Sequence, residues 1–192
     1  MERAKIAAAL VLTSPFIPLI FQGEEWAASS PFQYFADHSD PELARAVSEG
    51  RKREFAAFGW NPDEIPDPES SETFQRSKLN WAEQGKPEHA EMLAWYRELI
   101  RLRRATPWLN DGEARQGRVF YSEDEKWIRI ERGTVTVLCN LGEEDRRFPL
   151  PNRGQILLGS SNRMRIEENS ISVGSTSVVI IGARDQAAVD AS

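Results

Sequence analysis

The stretch from Ser14 to His38 most constrains what this chain can form. An apolar run, Phe16 to Phe21, stops at Gln22 and Gly23 and is followed at once by Glu24, Glu25 and Trp26. A short apolar run that ends at glycine and turns to charge predicts a central parallel strand delivering side chains to a solvent-facing rim. In α/β barrels that rim, at the C-terminal ends of the strands, is where ligands are handled. Flat rings and polar tips follow: Phe32, Tyr34 and Phe35, then Asp37 and His38. Aromatic faces beside carboxylates complement a molecule with apolar faces and a hydroxyl edge, which describes a sugar. An ordinary structured loop after a buried strand accounts for the same residues. The candidate substrate-binding residues are Glu24, Glu25, Trp26, Phe32, Asp37 and His38, with Trp26 and at least one of the two glutamates expected at the surface.

The same residues carry a family resemblance. Residues 3 to 38 are similar to the last strand of an α-amylase-type barrel and the loop after it, where a Gly-(Asp/Glu)-Glu triplet is typical, here Gly23-Glu24-Glu25. Three longer blocks narrow it: GEEWAASSPFQYFADH, SEGRKREFAAFGW at 48 to 60, and IPDPESSETFQRSKLNW at 65 to 81. Together they resemble the malto-oligosyltrehalose trehalohydrolases. The likeness runs with interruptions through the helix ending near Leu109 and more weakly beyond it.

That resemblance implies the C-terminal part of a cytoplasmic glycoside hydrolase that releases trehalose by cutting the α-1,4 bond next to a terminal trehalose unit. It implies no required organic cofactor, a trehalose-ended glucan as substrate, and the N-terminal part of the barrel as partner. The family's catalytic carboxylates sit on earlier strands, ahead of Met1, so none is assigned here and the isolated chain is expected to be inactive. Two other readings remain: a non-catalytic carbohydrate-binding or interaction module, and the end of another amylase-type enzyme such as a branching enzyme.

Length agrees with a part. A complete (β/α)₈ barrel takes about 250 residues, and this chain has 192. The fold expected is α/β plus all-β. Residues 1 to 108 would be an incomplete barrel remnant with a long substrate-side loop, and residues 109 to 192 a C-terminal antiparallel β-sandwich domain. The net charge of −6 lacks the basic excess that nucleic acid or an anionic membrane would need. One cysteine, Cys139, excludes an internal disulfide and fits a reducing compartment. In an alternating strand pattern it shares one face with Val135, Val137 and Leu141, which makes it a core thiol. His38 and His89 lack partners at metal-ligand spacing, so no metal site is expected.

Arg3 and Lys5 ahead of the apolar Ile6 to Leu12 superficially resemble a secretion leader, but Glu2 and the following Pro15 and Pro18 argue for a helix end, with Ala7, Ala8 and Ala9 packed on a sheet. Asp40 and Pro41 signal a second helix start. Arg51 and Arg53 beside Glu49 and Glu54 read foremost as solvated ion pairs, and otherwise as a basic rim for sugar hydroxyls. Asn61 to Ser71 reads as an extended connection, with Trp81 anchoring the excursion. Glu88 to Ala105 is the clearest helix, its stripe Met92, Leu93, Tyr96, Leu99, Ile100 and Arg103 suited to a sheet. Strands are predicted at Glu113–Ser122, Lys126–Glu131, Thr134–Leu141, Arg146–Leu150, Gln155–Gly159, Ser170–Val173 and Ser177–Ile181, with a frayed tail over Arg184–Ser192. Glu24 and Glu25, neighbours on an extended segment, would point to opposite sides and so could not act together as acid and nucleophile.

Overall fold

The computed structural model describes residues 1–112, 117–150 and 154–183; the first residues of the strand predicted from Glu113, and the Arg184–Ser192 tail, lie outside them. It is a mixture of helices and antiparallel sheets. Five helices come first: α1 (Glu2–Thr13), α2 (Pro41–Ala57), α3 (Ser71–Ser77), α4 (Pro87–Ala105) and α5 (Pro107–Asn110). Strands follow: β1 (Gly117–Ser122), β2 (Trp127–Arg132), β3 (Val135–Asn140), β4 (Arg146–Pro149), β5 (Gly154–Gly159), β6 (Met164–Glu167), β7 (Ser170–Val173) and β8 (Ser177–Ala183). Contacts gather residues 1–27 and 86–192 into a larger unit and residues 28–85 into a smaller one.

In the larger unit, five strands pair in the order β1-β2-β3-β8-β5 and three in the order β4-β7-β6. The centre is β3 against β8, where Val137 faces Ile180, Leu138 faces Val179 and Cys139 faces Val178. Side chains alternate across a strand, and here both faces are apolar. Val135, Val137, Cys139, Val178 and Ile180 join a core with Ile6, Ala9, Leu12, Met92, Trp95 and Leu99 from α1 and α4. Leu138, Val179 and Ile181 turn the other way, onto Phe148, Ile171 and Val173 of the three-stranded sheet. Cys139 is fully buried, and burial pushes its thiol pKa up to about 12. The predicted strands each appear within a few residues; β6 was not anticipated, being four residues with one isoleucine.

The N-terminal part departs from expectation in two ways. Phe16 to Phe21 forms no strand, and Phe16, Ile17 and Leu19 are 70%, 95% and 86% exposed. An apolar run becomes a strand only where neighbours complete its backbone ladder, and every strand pairing among the described residues is antiparallel and lies beyond residue 116. Ala8 and Ala9 pack inward on α1, but Ala7 is exposed, because a helix repeat of about 3.6 cannot bury three consecutive residues. Trp81, expected to anchor the excursion, is 66% exposed; its neighbour Glu83, 3% exposed, braces the turn, accepting hydrogen bonds from the Ser29 amide (3.0 Å) and hydroxyl.

The end of α1 is held by two arginines. The last carbonyls of a helix have no partner within it. Arg103 of α4 donates to Leu12 O (2.8 Å), Ser14 O (2.7 Å) and Phe16 O (3.0 Å). Arg132 donates to Thr13 O (3.0 Å) and to Asp111 Oδ1 (2.7 Å). A comparable hub is Asn140, 1% exposed, whose amide donates to the Glu144, Val173 and Gly174 carbonyls while its oxygen accepts from the Gly142 amide.

Two substitutions test these hubs. Arg103→Met strands three carbonyls at the α1 terminus and is expected to cost about 2–4 kcal/mol in urea unfolding, with Arg103→Lys recovering less than half, because an ammonium cannot reproduce the fork. Asn140→Asp sets a carboxylate against three carbonyl oxygens, which raises its folded pKa above the unfolded value of about 3.9. An acid so raised destabilises most above its folded pKa, and the loss recovers as pH falls towards that of the unfolded acid. Thermal midpoints should therefore differ from wild type far more at pH 7 than at pH 4; an equal deficit at both would contradict this account.

Candidate functional site

The six predicted site residues divide between the two units: Glu24, Glu25 and Trp26 in the larger, Phe32, Asp37 and His38 in the smaller. Gly23, at φ +87°, turns the chain into a single 3₁₀ turn over Glu24–Trp26, which leaves through Ala27, itself at φ +52°. Glycine suits the first position because it enters the left-handed region without a Cβ clash. Successive residues of such a turn are about 120° apart rather than opposed, which corrects the expectation drawn from an extended segment.

Trp26 is 1% exposed, contrary to expectation. Its ring is buried, and its carbonyl accepts from Nδ1 of the buried His89 at 2.8 Å. A carbonyl only accepts, so this imidazole nitrogen carries its proton. Both glutamates are half-buried, with different surroundings. Glu24 Oε1 accepts from the Tyr96 hydroxyl at 3.1 Å, and burial, with the adjacent Glu24 charge, pushes the Tyr96 pKa upward. Glu25 Oε2 is enclosed and meets no hydrogen-bond donor among the described residues. A shielded carboxylate oxygen without a donor costs about 1–3 kcal/mol or more.

Polar braces shape the smaller unit, in which no large apolar side chain is fully buried. His38 donates its amide to Glu69 Oε2 (3.1 Å) and sets Nδ1 2.6 Å from Oε1; these contacts hold the Glu69 carboxyl below its usual range. The Asp67 carboxylate accepts from the Ser48 hydroxyl at 2.6 Å, and the Ser77 hydroxyl accepts from the Gln33 amide at 3.1 Å. His38 is thus committed to bracing, Asp37 is exposed, and Phe32 is 56% exposed in a ring series with Phe35 and Phe74.

Phe32 and residues outside the predicted set build a cleft in this unit of about 250 Å³, lined also by Tyr34, Arg51, Phe55, Trp60 and Ile65. Arg51 and Phe55 share a face of α2 by their i, i+4 spacing. The Arg51 guanidinium lies 5.1 Å from the Tyr34 ring centre and 4.6 Å from that of Phe55, and reaches Glu54 at 3.0 Å. Past α2, Gly59 at φ +82° turns the chain back, so that Trp60 donates its amide to Phe55 O and sets its ring 5.3 Å from that of Phe55. The i, i+4 pair and the glycine after the helix were readable in SEGRKREFAAFGW; that Tyr34 closes the other side was not. No helix among the described residues is long and apolar enough to cross a membrane.

No family model matches the chain. Curated relatives do. A malto-oligosyltrehalose trehalohydrolase of Mycobacterium tuberculosis is 44% identical over 187 residues, 95% of this chain and 31% of the relative. One from Rhizobium sp. is 41% identical over 92% of the chain and 29% of its own length, and one from Arthrobacter ramosus 52% over 70% and 23%. Among solved structures, a Salmonella typhimurium protein assigned as an alpha amylase superposes with a TM-score of 0.76 at 37% identity, over 94% of this chain and 30% of that one. The trehalulose synthase of Pseudomonas mesoacidophila, at 22% identity and a TM-score of 0.61, shares the fold alone. The chain spans about three tenths of the length of the first curated relatives, and over nearly all of its own length it is similar to malto-oligosyltrehalose trehalohydrolases.

Proposed function

We propose that this chain is the C-terminal part of a glycoside hydrolase that releases trehalose from malto-oligosyltrehalose by hydrolysing the α-1,4 bond beside the terminal trehalose unit. The carrying observation is the 41–44% identity to curated trehalohydrolases over more than nine tenths of the chain. Residues 1–108 belong in this reading to the end of the catalytic barrel and residues 109–192 to a C-terminal β domain, working in the cytoplasm. Two structural features support an N-terminal barrel part as partner. The Phe16–Phe21 run is apolar yet exposed, as a strand is when its neighbours are missing. Glu25 keeps an enclosed oxygen with no donor among the described residues, a place a substrate hydroxyl or another barrel residue would fill.

In the same reading Glu24, Glu25, Trp26, Phe32, Asp37 and His38 serve substrate binding in unequal ways. Glu25 is the direct acceptor. Glu24 is steered by Tyr96, Trp26 supports the turn from beneath, and His38 fixes its loop through Glu69. Phe32 and Asp37 present a ring face and an acceptor. Hydrolysis needs two carboxylates on either side of one glycosidic bond. Glu24 and Glu25 diverge around a tight turn, so that pair comes from the earlier barrel strands and the chain alone turns nothing over.

The direct test splices this chain into the Mycobacterium tuberculosis relative in place of its aligned stretch and measures trehalose released from malto-oligosyltrehalose. The chimera is expected to release trehalose within about tenfold of the parent's rate, which allows a mismatched junction to raise the barrier by about 1.4 kcal/mol, while the isolated chain releases none. A folded chimera that transfers glucan branches or releases nothing would sink the assignment. In an active chimera, Glu25→Ala is expected to raise KM about tenfold with kcat nearly unchanged, the signature of a lost binding contact; an equal fall in kcat would give Glu25 a role in the chemical step instead.

A further inference from the structure

We propose that the cleft between Tyr34, Arg51, Phe55 and Trp60 is a binding site for a glucosyl unit of an α-1,4-glucan. The choice of glucan rests on the proposed function; the complementarity to a sugar does not. A pyranose offers C–H groups on its faces and hydroxyls at its edge, so its site needs flat apolar surface and planar donors at the margin. The cleft supplies both. Trp60 is 60% exposed, and a large ring left open to water is informative when something holds it in place. Here the ring rests on Phe55, 5.3 Å between centres, and its backbone is tied to Phe55 O at 3.2 Å.

Arg51 provides the polar margin. Its guanidinium is fixed against the Tyr34 and Phe55 rings and tethered by Glu54 at 3.0 Å. A guanidinium has five N–H donors in one plane, so donors remain to meet ring hydroxyls. Pairing with Glu54 also offsets its charge, and no second cation lines the cleft, which favours a neutral polyol over a phosphate or carboxylate. The volume, about 250 Å³, lies just below the roughly 300–1,000 Å³ typical of drug-sized ligands, which suits one sugar ring with its chain continuing outside.

The test titrates the purified chain with maltotetraose, followed by saturation-transfer NMR and tryptophan fluorescence, with cellotetraose as the β-linked control. Wild type is expected to bind maltotetraose with Kd on the order of 1 mM, the scale of a single shallow contact. Trp60→Ala should weaken binding about tenfold, as truncating an aromatic anchor does. Arg51→Lys, which keeps charge and loses the planar fork, should weaken it by about threefold or more. Phe58→Ala removes an aromatic that is 75% exposed but outside the cleft, and should leave affinity unchanged. Circular dichroism confirms that each variant keeps its helices. Absence of binding by wild type, equal losses for Trp60→Ala and Phe58→Ala, or equal affinity for cellotetraose would each overturn the site. A chimera that releases trehalose while the chain binds no maltotetraose removes the cleft and spares the proposed function. Cleft binding beside an inert chimera does the reverse.

Discussion

The larger unit depends on one pair of strands that has no solvent side. In β3 and β8, consecutive residues alternate between two apolar environments: Val137 and Ile180 face the helices, while Leu138 and Val179 face the small sheet. Each such side chain, left in water, would forfeit about 1.5–3 kcal/mol. The sheet must therefore be covered twice, and the two covers are different in kind. One is α1 with α4, brought in from the N-terminal half; the other is the β4-β7-β6 sheet from the same C-terminal stretch. The β-rich region thus shares its core with residues about 120 to 175 positions away, Ile6 and Leu12 of α1 joining Cys139 of β3 and Val178 of β8.

Covering the sheet with α1 creates a second demand. A helix that ends against a core exposes carbonyls where water is scarce, and α1 ends at Thr13 with that problem. Arg103 and Arg132 answer it from two directions, one from α4 and one from the end of β2. Two guanidiniums this close repel; burial, and then Arg132, lowers the Arg103 pKa. Asp111 on Arg132 compensates. The smaller unit is built on another principle. It buries Thr73, Ser77 and Glu83 rather than aliphatic side chains and leaves Phe32, Tyr34, Phe58, Trp60 and Trp81 largely open. Side chain to backbone hydrogen bonds hold its turns, which leaves its rings available at the surface.

How far the sequence could be read follows from the range of the interactions. Local signals were legible. Asp40 caps α2 through the Glu42 amide at 2.9 Å, Pro87 opens α4, and the β3 alternation placed Cys139 inward. Arg103 stood out as a charge at the end of an apolar stripe, although its partners, three carbonyls some 90 positions earlier, were invisible in the pattern. Long-range facts were lost. Trp26 reads as a surface ring from its acidic neighbours, yet it is buried because a 3₁₀ turn and His89 place it beneath them. Phe16 to Phe21 reads as a strand from its apolarity, yet strand formation is a property of neighbours, and apolar composition specifies burial only when something is present to bury it against.

The adjacent acids show why chemical identity underdetermines role. Glu24 and Glu25 have the same side chain, the same half-burial and consecutive positions, and any argument from composition treats them as a pair. The turn separates them. Glu24 meets a phenol on a buried helix face, and a carboxylate that accepts from a fixed donor loses freedom to accept from anything else with that oxygen. Glu25, one step further round, has an oxygen shielded from water with no donor among the described residues. Desolvating a carboxylate oxygen without a partner is unfavourable, so such an arrangement persists only where the rest of the fold imposes it. The imposition here is traceable: Gly23 at φ +87°, Ala27 at φ +52°, and Trp26 locked between them by burial and His89. Glu25 Oε2 is held out of water with no donor among the described residues, which makes Glu25 the acid whose state an arriving hydroxyl or donor would change most.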